Sequence, residues 1–442
     1  MTEFKGNHIQ WPIERNARTF TARVVEPIHY DPKTHKKIFD ATMTHLIMPP
    51  ENDKIDKYDN IRKSISTKRV DLITFPEAFI DPDTLLQALT TIKGIFTCVH
   101  VGLRIGYNSE YLFSTRDLLN LIESIEQVKS IYIDDIQKFK SWITSQRSDE
   151  MFNVGCVFAI DKHNKLRVCI HPKIVRSIFE FSPSPENHMS EANLLNLITL
   201  RQSKGNLKNI VMQPLLCSDA TTLQTDKGMG GPIELINKIP TQCFDGDVPD
   251  HIDIVSVSTC TPQVKNGVAR PSIHREWHRK FLDSFQKSAD DFHRHHFSVF
   301  VLANFHDIKI EDGDSVKMKD GGLSGVFIPV PPPKNALFPS GIDTSCWGRP
   351  KNKDESQNNS WSRPDDDALT KWSSMGFICM LSPISNKQGI EVRVLECTIH
   401  RLPRDNSLWS NFSSIEKCVI YVGRQADGGE IRFAKQEAQD AE

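Results

Sequence analysis

The sequence predicts an α/β fold, and three observations carry that expectation. From Thr42 onward, short apolar runs alternate with longer amphipathic or polar stretches, the pattern of strands interleaved with helices. Within Thr115 to Gln146, the residues Leu118, Leu119, Leu121, Ile122 and Ile125 recur mostly at spacings of three and four, which places them on one helical face. The chain has 442 residues, enough to bury a large core as one α/β domain or as a few smaller ones.

In chain order, strands are expected at Thr42 to Met48, Val70 to Phe75, Ile95 to Leu103, Val154 to Ile160, Leu166 to Ile170 and Leu194 to Leu200. They continue at Ile210 to Leu216, Ile252 to Ser258, Ser298 to Ala303, Gly325 to Pro329 and Glu391 to Thr398, enough for two sheets. Helical patterning covers Lys57 to Thr67, Pro82 to Lys93, Thr115 to Gln146 in at least two pieces, and His274 to Phe292. Asp161-Lys162-His163-Asn164-Lys165 reads as a turn between two strands. Lys204-Gly205-Asn206 reads as a hairpin, because Gly and Asn readily supply positive φ. Residues 1–40 carry little periodicity, and Gln224 to Pro249 and Lys351 to Asp367 look like polar excursions.

Composition excludes several classes of function. With 54 basic and 56 acidic residues, no global field favours nucleic acid or an anionic membrane. The ten cysteines form no Cys-x-x-Cys pair, so neither a structural zinc site nor a disulfide scaffold is signalled. His274, His278, His293, His295 and His296 join no recognisable ligand motif and read as a solvated helix face with loop histidines. No metal or other cofactor is expected. The amino terminus lacks the apolar core of a signal peptide, and no apolar run approaches the roughly 18 residues that span a bilayer. A cytoplasmic protein with reduced thiols is expected.

Three strand ends carry the chemistry. In Val70-Asp71-Leu72-Ile73-Thr74-Phe75-Pro76-Glu77, proline stops the ladder and presents a carboxylate at the sheet edge. Half-buried carboxylates of this kind serve as general bases near neutral pH, although a carboxylate opening a helix is an equal reading for Glu77 alone. In Leu166-Arg167-Val168-Cys169-Ile170-His171-Pro172-Lys173 a proline again precedes the ionisable residue. Taken alone, Lys173 is a surface charge; beside a reacting carbonyl it is an oxyanion donor. Cys217 ends the run Ile210 to Leu216 and needs a base or a cation beside it to react, since an ordinary thiol is mostly protonated at neutral pH.

The Phe-Pro-Glu element at Glu77, the lysine after a strand pair at Lys173 and the Leu-Leu-Cys-x-Asp element at Cys217 resemble, in order and spacing, the Glu-Lys-Cys triad of the nitrilase (carbon-nitrogen hydrolase) superfamily. Pro249 to Ser258 and His296 to Asn304 are similar to later strands of that family. The resemblance implies an α-β-β-α sandwich that assembles into homodimers or larger homo-oligomers. It implies Glu77 as general base, Lys173 as oxyanion stabiliser and Cys217 as the nucleophile that forms a thioester with an amide, carbamoyl or nitrile substrate. It also implies a second glutamate that places the substrate amine, Glu180 or else Glu186, and an oxyanion donor at the Ser218 backbone N–H.

On that frame, residues 41–333 are the catalytic domain, with insertions near 107–149 and 220–250 that suit a lid or a partner surface. Residues 1–40 are an N-terminal extension. Residues 334–433 form a C-terminal extension with a mobile loop near 351–367 and a late strand that returns to the core, and 434–442 a solvated tail. The chain departs from the family at Pro214, inside the nucleophile strand, and at Ser218, where an aromatic is usual; a roomier, more polar pocket is expected there. Two other functions stay open: a nitrilase-fold binding module with little turnover, and an acyltransferase using the same triad.

Overall fold

The computed structural model describes residues 4–15, 19–47, 70–92, 97–105, 111–177, 180, 188–202, 209–238, 244, 249–261, 277, 280–281, 283–285, 287–288, 291–295, 298–305, 324–328, 342–343, 376–380, 389–403, 410–425 and 429–435. Its first half runs β1 (Lys5–Arg15), β2 (Thr19–Pro27), α1 (Pro32–Thr42), β3 (Leu72–Thr74), α2 (Pro82–Thr91), β4 (Cys98–Gly102), β5 (Phe113–Ser114), α3 (Thr115–Glu126), α4 (Asp134–Thr144), β6 (Met151–Phe152), β7 (Val154–Ile160) and β8 (Leu166–Pro172). There follow β9 (Leu194–Gln202), β10 (Ile210–Leu216), α5 (Pro232–Lys238), β11 (Ile254–Ser258), β12 (Val299–Ala303) and β13 (Gly325–Ile328). The chain closes with β14 (Ile342–Asp343), β15 (Gly376–Met380), β16 (Glu391–Pro403), β17 (Ser410–Gln425) and β18 (Ile431–Lys435).

The fold is mixed α/β, built on two eight-stranded sheets, one in the order β1-β9-β10-β11-β12-β13-β15-β14 and the other β18-β17-β16-β2-β3-β4-β7-β8. Alternate residues of each strand face opposite ways. In β7, Val157 and Ala159 join a cluster made only of strand residues from both sheets, with Trp11, Phe20, Met212, Val301 and Leu395 among its members. Cys156 and Phe158, between them in sequence, instead join a cluster that includes Leu118 and Ile122 of α3 and Phe139 of α4. On the other sheet Phe281 and Phe285 meet Phe327 and Phe300 edge to face at centroid distances of 4.9 and 5.1 Å. Burying aromatic side chains of this size supplies about 2 to 3 kcal/mol each before entropy is counted.

Most expected strands lie within a few residues of the observed ones, and Thr115 to Gln146 forms α3 and α4. The stretch Thr42 to Met48 is a correction: it is the end of α1 followed by a π-helical turn, Met43–Ile47. Asp31 caps α1 by accepting from Lys33 N, Pro32 stands in its first turn, and Ile38, Phe39, Thr42, Met43 and Leu46 are buried at helical spacing. A short apolar run cannot by itself distinguish strand from helix.

The opening 40 residues are a second correction, since they are not an extension outside the core. β1 pairs with β9 at the edge of one sheet, and β2 lies between β16 and β3 inside the other. Ile9, Trp11 and Ile13 alternate into the inter-sheet cluster. At the far end β18 takes in Ala434 and Lys435, which pair with Val422 and Tyr421, so the expected tail begins as strand. The late strand Glu391 to Thr398 is part of β16, beside β2. The helix Lys57 to Thr67, the hairpin turn at Lys204 to Asn206 and the loop 351–367 lie outside the described residues. Antiparallel pairing of β9 with β10 is the arrangement such a hairpin makes. Among the described residues, no helix is long and apolar enough to cross a membrane.

Candidate active site

The inward faces of β3, β4, β8 and β11 change character toward one end. Leu72, Cys98, Cys169 and Ile254 lie in the inter-sheet core, and two residues further on stand Thr74, His100, His171 and Ser256. These four form a buried chain: Thr74 Oγ1 to Ser256 Oγ at 2.8 Å, Ser256 Oγ to His100 Nδ1 at 2.7 Å, and His100 Nε2 to His171 Nε2 at 3.0 Å. Gly155, opposite His171 on β7, makes room for the ring, because a Cβ there would stand 2.5 Å from His171 Nε2. Burial pushes the pKa of His171 down to about 3, and burial together with His171 pushes His100 well below the ordinary value. Glu77 and Lys173 lie just beyond this belt, on the same strand ends.

Glu77 follows β3 through Phe75 and Pro76 into a turn whose next residue, Ala78, has φ of 53°. Left-handed backbone costs a non-glycine residue about 1 to 2 kcal/mol. The turn is clamped to β4: Phe79 N donates to Gly102 O at 3.0 Å and Gly102 N to Pro76 O at 3.2 Å. Gly102 is required, since a Cβ there would lie 2.4 Å from Glu77 Cα. Lys173 directly follows β8, and its N–H donates to Asn153 O at 2.8 Å, extending the β7–β8 ladder by one pair.

The side chains converge. Lys173 Nζ lies 2.9 Å from Glu77 Oε1 and 2.8 Å from Glu180 Oε1. Asn153 Nδ2 donates to the same two oxygens at 2.7 and 2.8 Å. Cys260 N donates to Glu77 Oε2 at 3.1 Å, and Ser177 N to Glu180 Oε2 at 2.8 Å. All of these side chains are buried. Burial raises the pKa of Glu77, with Lys173 opposing and Glu180 adding to the rise. Burial opposes the charge of Lys173, but Glu180, Glu77 and Cys217 hold its pKa well above the usual lysine value.

Cys217 ends β10 and starts a single 3₁₀ turn, Cys217–Ala220, with its own φ at 39°. Strain of this kind concentrates at functional sites. The ladder from β10 to β9 stops at Met212, two residues before Pro214, so the proline sits where β11 is the remaining partner. The turn is tied to the lysine segment: Asp219 Oδ1 accepts from Ile174 N and Val175 N at 3.0 and 2.7 Å, and the Ser218 hydroxyl donates to Val175 O. The Ser218 side chain therefore serves this tie and is fully buried, which corrects the expectation that it widens a polar pocket. Cys217 Sγ is 3.7 Å from Thr261 Oγ1, and Thr261 is bonded in turn to Thr259. Burial raises the thiol pKa to about 12; Lys173 pulls it down and Glu77 pushes it up. At rest the sulfur is a protonated thiol.

Glu77, Lys173, Cys217 and Glu180 are thus brought to one place, with Ser218 beside Cys217; Glu186 lies outside the described residues. Asn153, Asp219, Cys260 and Thr261 were not anticipated as site residues. Asn153 had a signal: the Asp161 to Lys165 turn sets Ile160 opposite Leu166, and that register puts Asn153 opposite Lys173. Comparison with protein-family models, with curated proteins and with solved structures finds no match to this chain.

Proposed function

We propose that this protein is a cysteine-dependent hydrolase of a non-peptide carbon-nitrogen bond, an amide or carbamoyl group in preference to a nitrile, of the nitrilase type. The two facing sheets, with helices against their outer faces, support reading the body as an α-β-β-α sandwich. The observation that carries the functional reading is the convergence of Glu77, Lys173 and a backbone-strained Cys217 from three strand ends far apart in the chain.

Each group has a role that its surroundings suit. Glu77, with its pKa raised by burial, accepts the Cys217 proton as sulfur attacks the carbonyl carbon. The oxyanion that forms is met by the Lys173 ammonium and the Ser218 N–H, and one such donor is typically worth about 3 kcal/mol. Glu77 returns the proton to the leaving nitrogen, so ammonia or an amine departs and a thioester remains on Cys217. Water then gives a proton to Glu77 and attacks the thioester; collapse releases the acid and restores the thiol. Two of the three Lys173 donors are held by carboxylates, and the third, without a partner among the described residues, is available to the oxyanion.

The test is ammonia release from a panel of primary amides and carbamoyl compounds, with Cys217→Ala beside the native protein. The reading requires release by the native protein and none above background by the variant. Equal release by both, or none by either across the panel, overturns it.

A further inference from the structure

We propose that Asn153 is the positioning residue of this site: its carboxamide fixes Glu77 and Glu180 on the oxygens that Lys173 also grips, leaving Glu77 Oε2 as the oxygen that exchanges the proton with Cys217. The proton exchange rests on the hydrolase reading; the placement of the carboxylates does not.

The geometry is a closed ring. Two donors, Lys173 Nζ and Asn153 Nδ2, each reach Glu77 Oε1 and Glu180 Oε1, with all four separations between 2.7 and 2.9 Å. Both donors come from one cross-strand position, where Lys173 N also bonds Asn153 O. The orientation of the amide follows from its partners, since acceptor-only carboxylates can be met by the NH₂ group and not by the carbonyl oxygen. Asn153 Oδ1 is left buried without a hydrogen-bond partner among the described residues. A buried acceptor without a partner is unfavourable, so it is the two N–H groups that account for an amide here.

Neutrality matters as much as the donors. A carboxylate oxygen pair offers about four lone-pair directions. On Glu77, Oε1 is filled by Lys173 and Asn153, and among the described residues Oε2 takes only the Cys260 N–H. The free direction therefore belongs to Oε2, on the side of the segment that also brings Thr261 to the Cys217 thiol. Among the described residues, the titratable groups that interact electrostatically with Glu77 include Lys173, Glu180, Cys217, Cys260, Tyr30 and Tyr111. Lys173 is the cation among these six, and it already serves two carboxylates. An amide holds both carboxylates without adding charge, which neither an acid nor a second lysine would do.

Infrared titration of the Glu77 carboxyl, identified by its loss in Glu77→Gln, reads this directly and needs no turnover. Asn153→Asp is isosteric and adds a third acid; Asn153→Ser removes both N–H donors and leaves a single hydroxyl on a shorter side chain. In both variants the Glu77 midpoint is expected to rise by about one pH unit or more, and the acid limb of kcat/KM for amide hydrolysis to rise with it while KM changes little. A Glu77 midpoint unmoved in both folded variants overturns the proposal, whatever happens to the rate. A midpoint that moves in a protein that hydrolyses none of the amides supports the placement and separates it from the failure of the hydrolase reading.

Discussion

Glu77 and Lys173 sit in a ring of short bonds with Glu180 and Asn153, whereas Cys217, one strand end away, has a threonine hydroxyl at 3.7 Å. The first corner is held by charge and register; the second by a strained backbone turn. The difference assigns separate tasks. On the proposed hydrolase reading, Glu77 and Lys173 are preorganised as base and cation, which is where electrostatic catalysis gains most, and Cys217 stays protonated until a substrate arrives. A thiol with its pKa at about 12 also resists incidental oxidation and alkylation.

The largest expected effect comes from removing the held corner's partner in chemistry. Cys217→Ser should lower kcat by about 10⁴-fold or more with the fold intact, because a group acting within a triad carries nearly all of its rate; ammonia release and circular dichroism check the two halves of that statement. Lys173→Met should follow, at about 10³-fold in kcat. It should also lower the thermal midpoint, since two buried carboxylates lose their cation and breaking such a pair costs about 3 to 5 kcal/mol. If Lys173→Met left stability unchanged, the contrast between the corners would collapse.

Gly102→Ala tests the clamp behind Glu77. The new Cβ would collide with the Glu77 backbone, and a displacement of about 1 Å at a reacting group costs on the order of 10²-fold in rate. The expected signature is a fall in kcat with a smaller change in KM. A milder probe addresses the thiol: iodoacetamide labelling of Cys217, followed by peptide mass, should keep accelerating through pH 10. An ordinary thiol, with a pKa near about 8.5, would level off before that.

The smallest effect concerns the histidine belt. His171 is held neutral with a pKa at about 3, while the same ring in the unfolded chain titrates near about 6.5. Below 6.5 the unfolded state gains a proton that the folded state refuses, so this contribution to stability is complete above 6.5 and is lost as pH falls toward 3. Its slope is at most about 1.4 kcal/mol per pH unit, and Asp219, whose pKa burial raises to about 7, works in the opposite direction until its unfolded form is protonated near about 4. From these two groups, urea midpoints should therefore hold or rise slightly between pH 7 and 5 and fall between pH 5 and 3.5.

Much of the fold and the core of the site were legible because short-range chemistry reports on them. Pro76 and Pro172 stand at or just past the ends of β3 and β8, and the Asp161 to Lys165 turn fixes a hairpin register that carries Lys173 into place. The opening strands were missed: the alternation of Ile9, Trp11 and Ile13 is too short to stand out in a stretch of little periodicity, and its partner β9 is nearly 190 residues away, beyond what local pattern reports. Met43–Ile47 failed for the opposite reason, as an apolar run short enough for either period. Asn153 escaped because the hairpin register that sets it opposite Lys173 marks only its position; its meaning comes from the two carboxylates around it, which tertiary structure assembles.

The central claim is that Cys217 becomes acylated by a carbon-nitrogen substrate with Glu77 and Lys173 at hand. The most direct measurement is intact mass of the protein after brief exposure to reactive amides and acid quench, on the native chain, Glu77→Gln and Cys217→Ala. An acyl adduct located on Cys217 in the native protein, much reduced in Glu77→Gln and absent from Cys217→Ala, is the result expected. An unmodified native protein across the panel, or an adduct that persists in Cys217→Ala, would contradict it.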